Sequence, residues 1–254
     1  MKQSLKRNGI ESKIFDKPKN NESFAQLRKT AYEMRENWIL ASQNTNKQKE
    51  IALALERFGL KIALAPHEID VDESAPDFRG NALLKALAYS EAFNRSALAD
   101  DSGLCVDALN NAPGVHSARY AGICDKDRRD AANNAKLLNE LRGLAPKSRG
   151  AKFVCSLVAV IVDPDIIERC HKLELAGVEL DTDKNHAILS VEGYAYGRIL
   201  DAPRGNNGFG YDPLFYDDKL QKSFAELSAS EKLSVSHRGK AISEFSALLR
   251  KLMA

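Results

Sequence analysis

The sequence lacks the features of a membrane protein, a zinc protein or a disulfide-bonded protein. No apolar run approaches the roughly 20 residues that a membrane-spanning helix requires, so no membrane partner is expected. The cysteines, Cys105, Cys124, Cys155 and Cys170, form no C-x-x-C pair, which argues against a zinc site and for reduced thiols in the cytoplasm. The sequence also lacks a large excess of positive or negative charge, because its formal net charge is only +2. A nucleic-acid partner is therefore not expected.

The small basic excess lies in the first 36 residues. This segment carries nine Lys/Arg and five Asp/Glu, whereas the remainder carries 28 basic and 30 acidic residues. It has few large apolar residues and no signal-peptide core. We therefore predict a solvated N-terminal extension over residues 1–36 and a folded domain over residues 37–254. A nucleic-acid-binding arm and a functional start at Met34 are the alternatives.

Strand and helix signals alternate from Ile39 onwards, which predicts an α/β fold with a mixed, twisted sheet flanked by helices. A charged segment over residues 163–186 is interpreted as an enlarged surface hairpin. The predicted elements are a strand at 39–42, a helix capped by Asn44 or Asn46, a strand at 61–65, a helix at 81–93 burying Leu83, Leu84 and Leu87, a strand at 96–99, a helix at 127–141 burying Ala131, Leu138 and Leu141, strands at 153–162, 172–178 and 187–196, and a final helix burying Ile242, Phe245, Leu249 and Leu252.

Two adjacent carboxylates follow the apolar residues of the strand at 96–99. The sequence Asp100-Asp101-Ser102-Gly103 predicts that this strand breaks into a glycine turn and that the acids project from the sheet edge, where ligands bind in open α/β sheets. Carboxylate oxygens can ligate Mg²⁺ and can orient or deprotonate an attacking water. The alternative is an ordinary surface turn rich in Asp, Ser and Gly.

Further segments supply groups that a nucleotide requires. The helix start around Ser42-Gln43-Asn44-Thr45-Asn46-Lys47 offers backbone N–H groups and the Lys47 ammonium to phosphates. The segment Gly208-Phe209-Gly210-Tyr211-Asp212-Pro213 combines glycines, which leave room for a flat ring, with two aromatic faces. Acids, cations and a base-sized pocket together indicate nucleotide hydrolysis without fixing which bond breaks.

The order and spacing of these segments, together with Asn81-Ala82-Leu83-Leu84-Lys85-Ala86 and Ser236-His237-Arg238, resemble the inosine triphosphate pyrophosphatase family, also called the Ham1-like family. The resemblance runs from about Ile39 to about Leu252. It implies an elongated domain of two lobes with a nucleotide cleft between them, a homodimer and a Mg²⁺ cofactor. It also implies hydrolysis of ITP, dITP and XTP to the monophosphate and pyrophosphate.

The resemblance further assigns residues of this chain. Asp101 matches the catalytic aspartate and is expected to ligate the metal, with a second ligand in the acidic segment 70–73, where Asp72 matches best and Glu73 next. Arg238 would present donors to the N7 and O6 acceptors of a 6-keto purine. The expected substrate-binding residues are Ser42, Gln43, Asn44, Thr45, Asn46, Lys47, Ser102, Phe209, Gly210, Tyr211, Asp212, Lys232, His237 and Arg238.

The chain departs from the family pattern at two places, and two other functions stay open. Relatives usually have Thr-Gly where Ser42-Gln43 stands, and often Glu-Asn-Ala where Gly80-Asn81-Ala82 stands. Gln43 puts the affinity for phosphate in question, because glycine lets the backbone approach it closely. Leu40-Ala41-Ser42 also resembles the start of Maf-like pyrophosphatases, but their Ser-Pro-Arg-Arg continuation is absent. A non-catalytic binder of nucleotides or nucleic acid is the second alternative.

Overall fold

The computed structural model describes residues 38–123, 125–173, 177–181 and 186–253, so the predicted N-terminal extension lies outside the described residues. Within them, eight strands form one open sheet in the order β2-β1-β3-β4-β6-β7-β8, with β5 paired to β6. β1 runs parallel to β2 and β3, and the other pairs are antiparallel. The strands are β1 (Trp38–Ala41), β2 (Ala63–Leu64), β3 (Ser96–Val106), β4 (Gly150–Ile161), β5 (Val178–Asp181), β6 (His186–Ile199), β7 (Phe215–Asp217) and β8 (Lys222–Ser223).

Helices flank this sheet, which confirms the predicted α/β fold class. In the part of the chain that the structure describes, no helix combines the length and the apolar character needed to cross a membrane. The helices are α1 (Thr45–Arg57), α2 (Phe78–Phe93), α3 (Lys126–Glu140), α4 (Pro164–Leu173), α5 (Ala229–Val235) and α6 (His237–Met253).

Helix α1 starts where the sequence predicts. The Asn44 side-chain oxygen accepts hydrogen bonds from the backbone N–H groups of Asn46 and Lys47 at 3.0 and 3.2 Å, which satisfies two donors that a helix N-terminus leaves free. Ile51 and Leu55 of the same helix are buried. The predicted apolar positions of α6 are also buried, and this helix packs on α1 and β6.

The long strands β3, β4 and β6 connect an apolar core at one end to a second at the other, and a third core packs on the opposite sheet face at the first end. Leu98 and Leu157 belong to the first core, and Leu104 and Phe153, farther along the same two strands, belong to the second. The Asp100-Asp101 pair lies between these positions on β3. The molecule thus has two lobes that share one sheet, with polar residues where the lobes meet.

The predicted glycine turn after Asp101 is wrong. β3 continues through Asp101 and Gly103 to Val106, in register with β4 throughout. Gly103 is required for close approach instead, because a Cβ at this position would lie 2.4 Å from the Ser117 hydroxyl and 2.5 Å from the Gly114 carbonyl oxygen.

Three predictions on helices need correction. Residues 163–186 do not form only a hairpin, because α4 occupies Pro164–Leu173 and buries Ile166 and Cys170. The strand predicted at 172–178 is wrong at 172–173 for the same reason, and its residues 174–176 lie outside the described residues. On α2 the fully buried stripe is Ala82, Ala86 and Tyr89, and Leu84 is exposed. On α3 Leu137 is buried and Ala131 is exposed. On α2 and α3, tertiary packing selected a neighbouring helix face that the apolar pattern left ambiguous.

Candidate active site

The cleft lies where β1 ends. β1 pairs with β3 up to Ala41, opposite Ala99, whereas β3 continues into Asp100 and Asp101. The acids therefore stand just beyond the carboxyl end of β1, the usual ligand position in α/β sheets. Because successive strand residues face opposite sides of a sheet, Asp100 and Asp101 contact different groups.

Asp100 holds two cations. Its Oδ2 atom lies 3.2 Å from Lys47 Nζ and 3.1 Å from Arg238 Nη2, and its side chain is fully buried. Burial alone would raise the pKa of this carboxyl, but Lys47 and Arg238 hold the pKa well below its usual range. The Oδ1 atom has no hydrogen-bond partner among the described residues. Asp100 is thus ionised and has one oxygen free.

Asp101 has weaker partners on the other face of β3. Lys85 Nζ lies 3.4 Å from Oδ1, and Asn81 Nδ2 lies 3.4 Å from Oδ2. Burial raises the pKa of Asp101 above its usual value, and the nearby lysines offset this only in part. The ionised form of Asp101 is therefore poorly stabilised by its neighbours, which suits a carboxylate that acts on a ligand.

Lys85 connects Asp101 to the acidic segment 70–73. Its ammonium contacts Glu73 Oε2 at 3.1 Å as well as Asp101, so a positive charge stands between the two carboxylates. Asp72 is exposed, whereas Glu73 is half-buried. No group of three or more His, Cys, Asp or Glu side chains able to hold a metal occurs in the described ranges. Asp101 and Glu73, which share Lys85, nevertheless offer the carboxylate oxygens that a hard cation prefers, and its remaining ligands would come from a substrate and water.

A second group of buried charges lines the other end of the cleft. Lys232 Nζ contacts Asp212 Oδ2 at 2.5 Å and Glu50 Oε1 at 2.7 Å, and it lies 4.9 Å from the centre of the Phe209 ring. Arg238 Nη1 also pairs with Glu50, and its Nη2 donates to the Ser102 hydroxyl at 2.7 Å. Glu50 therefore positions both cations, and together Lys232 and Arg238 hold the pKa of Glu50 below its usual value against the effect of burial.

His237 is the first residue of α6. Its ring stacks on Phe153 with centroids 4.7 Å apart and an interplanar angle of 12°. Burial, with the neighbouring cations Arg238 and Lys232, lowers the pKa of His237 well below its usual value, so the ring is neutral. Its Nδ1 atom has no partner among the described residues and belongs to a residue that lines the cleft.

Most of the predicted binding residues meet in this cleft. The side chain of Gln43 does not, because its Nε2 donates to the Ile69 carbonyl at 2.8 Å. Thr45 is exposed in the first turn of α1, as is Asn46, and Ser42 accepts from the Asn44 N–H at 3.4 Å. The predicted residues that line the cleft are Asn44, Lys47, Ser102, Phe209, Gly210, Tyr211, Asp212, Lys232, His237 and Arg238.

Sequence reasoning missed two parts of the site, of which the first is a carboxylate that pairs with Lys232 and Arg238 of the cleft lining. Glu50 follows Lys47 by three residues on α1, so its helical spacing could have placed it on the same face. The other part is a wall formed by α3, where Arg129, Asp130 and Asn133 line the cleft. Their sequence carries no signal that links them to the Gly208–Pro213 segment, which lies more than 70 residues farther along the chain.

Comparison with known proteins agrees with the resemblance. A profile of the Ham1 family matches residues 38–248. The dITP/XTP pyrophosphatase of Bacillus anthracis is 41% identical over 207 residues, which are 80% of this chain and 91% of that protein. The dITP/XTP pyrophosphatase of Lactiplantibacillus plantarum is 44% identical over 207 residues, with 80% and 90% of the two chains covered.

Solved structures agree as well. A HAM1 protein from Coxiella burnetii superposes with a TM-score of 0.67 at 35% identity, covering 84% of this chain and 98% of that one. The Ham1 protein of Staphylococcus aureus gives a TM-score of 0.65 at 35% identity, with 84% and 97% covered. With its match to the family profile over most of its length and these close relatives, the chain belongs to the Ham1 family.

Proposed function

We infer that this protein hydrolyses the non-canonical purine nucleoside triphosphates ITP, dITP and XTP to the monophosphate and pyrophosphate. The observation that carries the proposal is that two adjacent carboxylates of β3 contact different groups. Asp100 holds Lys47 and Arg238, whereas Asp101 faces Lys85 and Glu73. The names of the dITP/XTP pyrophosphatases that are 41% and 44% identical to this chain support the substrate class.

Base selection follows from counting the donors that remain free. Arg238 has five N–H groups, and Glu50, Asp100 and Ser102 take four of them. Lys232 has three N–H groups, and Glu50 and Asp212 take two. One N–H on each cation has no acceptor among the described residues, and we propose that it donates to O6 or N7 of hypoxanthine or xanthine. The amino group of adenine would place a donor against a donor.

We assign Mg²⁺ to Asp101 and Glu73, in preference to the sequence-based choice of Asp72. Glu73 is the acid that shares Lys85 with Asp101, and Asp72 is exposed. When bound, Mg²⁺ would neutralise charge on the phosphate oxygens. Asp101 orients a water and accepts its proton while the water oxygen bonds to the α-phosphorus. The bond from the α-phosphorus to the bridging oxygen breaks, and pyrophosphate leaves. Lys47 and Lys85 bind phosphate charge, and Phe209 offers its ring face to the base.

We also propose that the protein is a homodimer, that it is located in the cytoplasm and that it binds a small-molecule substrate. The homodimer rests on the family resemblance, and the cytoplasm on the cysteine pattern. Size-exclusion chromatography with light scattering tests the assembly directly.

Pyrophosphate release measured across ITP, dITP, XTP, GTP, ATP, dUTP and TTP, with Mg²⁺ or with EDTA, tests the activity. We expect Mg²⁺-dependent release from ITP, dITP and XTP, little release from ATP, and none from Asp101→Asn. Preference for dUTP or TTP would favour a Maf-like enzyme. Binding of ITP without release from any nucleotide would favour a non-catalytic binder.

A further inference from the structure

Helix α3 forms a wall of the cleft that is fixed to two neighbouring segments. Asp130 Oδ2 accepts a hydrogen bond from the Gly210 N–H at 2.7 Å, and Asn134 Nδ2 donates to the Gly210 carbonyl at 2.9 Å. Asn133 accepts from the Ala121 N–H at 2.8 Å. These contacts hold the first turns of α3 against the cleft. Arg129 stands four residues before Asn133, on the same helix face, and also lines the cleft.

Arg129 differs from the other cations of the cleft lining in its charge balance. Lys47 lies 3.2 Å from Asp100, Lys232 lies 2.5 Å from Asp212, and Arg238 lies 3.1 Å from Asp100. The acidic contact that the described part of the chain gives Arg129 is Asp130, at 3.9 Å, which is too long for a hydrogen bond. The Oδ2 atom of Asp130 is already engaged by Gly210. The charge of Arg129 is therefore the least compensated in the lining.

The Arg129 side chain also carries an unused donor. Its Nε–H is buried and has no hydrogen-bond partner among the described residues. A buried donor without a partner costs free energy, and it persists where a ligand or water supplies the missing acceptor. A guanidinium has the planar geometry that receives two phosphate oxygens at once, and the Nε–H of Arg129 supplies one donor for such a contact.

We propose that Arg129 is a substrate-binding residue that contacts the α-phosphate of the nucleotide. The proposal rests on the proposed function for the identity of the substrate. An anionic group is favoured over the base because a neutral base would leave the Arg129 charge uncompensated. The base also has its own set of contacts in Phe209, Lys232 and Arg238.

Arg129→Gln tests the proposal, with Arg128→Gln as the matched control. Arg128 is the neighbouring residue of α3, carries the same charge and is exposed, so its loss changes net charge without changing the lining. In EDTA, we expect Arg129→Gln to weaken IMP binding by about one to two orders of magnitude, the value of a charge-assisted hydrogen bond. Binding of inosine, measured by displacement of IMP, should stay unchanged. With Mg²⁺, the KM for ITP should rise more than kcat falls, and Arg129→Lys should recover part of the loss.

Several results would overturn the role of Arg129. One is an IMP affinity of Arg129→Gln within twofold of the wild type. Another is inosine binding that Arg129→Gln weakens as much as IMP binding. A third is a loss of IMP affinity in Arg128→Gln equal to that in Arg129→Gln. A wild type that binds no IMP would overturn both the proposal and the proposed function. A wild type that binds IMP but releases no pyrophosphate from ITP would overturn the proposed function alone, because the comparison of IMP with inosine needs no turnover.

Discussion

Asp100→Asn and Asp101→Asn are predicted to change stability differently although the residues are adjacent. The Asp100 carboxylate is fully buried and lies 3.2 Å from Lys47 and 3.1 Å from Arg238. Removing one partner of a buried ion pair costs about 3 to 5 kcal/mol. Arg238 keeps its contact with Glu50, so we expect the lower end, about 3 kcal/mol. At about 2 to 4 °C per kcal/mol for a chain of this size, Tm should fall by about 6 to 12 °C.

Asp101→Asn should leave Tm unchanged or raise it. The contacts of Asp101 to Lys85 and Asn81 are both 3.4 Å long, and burial raises the pKa of the carboxyl above 3.8. A folded-state pKa above the unfolded value means that the ionised form costs stability at neutral pH. An uncharged amide removes that cost. The same substitution should abolish pyrophosphate release, because the amide cannot accept a proton from water.

Thermal and urea unfolding at pH 7 in EDTA measure these effects. Asp201→Asn is the control, since Asp201 is exposed and should not change Tm. The contribution of Asp100 is present above about pH 3.8 and is lost as the pH falls through its lowered pKa. The wild type and Asp100→Asn should therefore converge in acid. An equal fall of Tm in both variants, or a larger fall in Asp101→Asn, would refute the distinction between the two carboxylates.

Four other outcomes are expected. Glu73→Gln should raise the Mg²⁺ concentration for half-maximal activity by about tenfold or more, as loss of an outer-sphere or direct ligand does. A larger rise of this concentration in Asp72→Asn would show that Asp72, and not Glu73, is the metal ligand. Arg238→Lys should narrow the ratio of kcat/KM for ITP to that for ATP, because an ammonium cannot replace the planar fork; an unchanged ratio would exclude a role in base recognition. Gly103→Ala should lower the free energy of unfolding by about 1 to 3 kcal/mol in urea titrations, since its Cβ would lie 2.4 Å from a hydroxyl oxygen. Removal of residues 1–33 should leave kcat and Tm unchanged, because the family profile begins at residue 38; a large loss of either would show that the segment supports the domain.

The sequence alone determined the fold class, most elements and most of the residues that line the cleft. Helix caps such as Asn44, the strand at 153–162 and the apolar face of α6 depend on residues close together in the chain, so local patterns predict them. The Asp100-Asp101 pair and the Gly208–Pro213 segment could be recognised because acids, glycines and aromatic rings have limited chemical uses. The cap, the strand and the helix face needed only neighbouring residues, whereas the two site segments also needed the order and spacing of the other motifs.

Only the tertiary structure decided which groups act together. Arg238 reaches Asp100 across 138 residues, and Lys232 reaches Glu50 across 182. The side chains of Asp100 and Asp101 lie on opposite faces of β3 because this strand continues past Gly103, although the local sequence favours a turn there. The preference for Glu73 over Asp72 and the placement of Arg129 depend on how α2 and α3 pack. Local patterns fix backbone conformation over a few residues, whereas ion pairs and cleft walls depend on contacts between distant segments that only packing brings together.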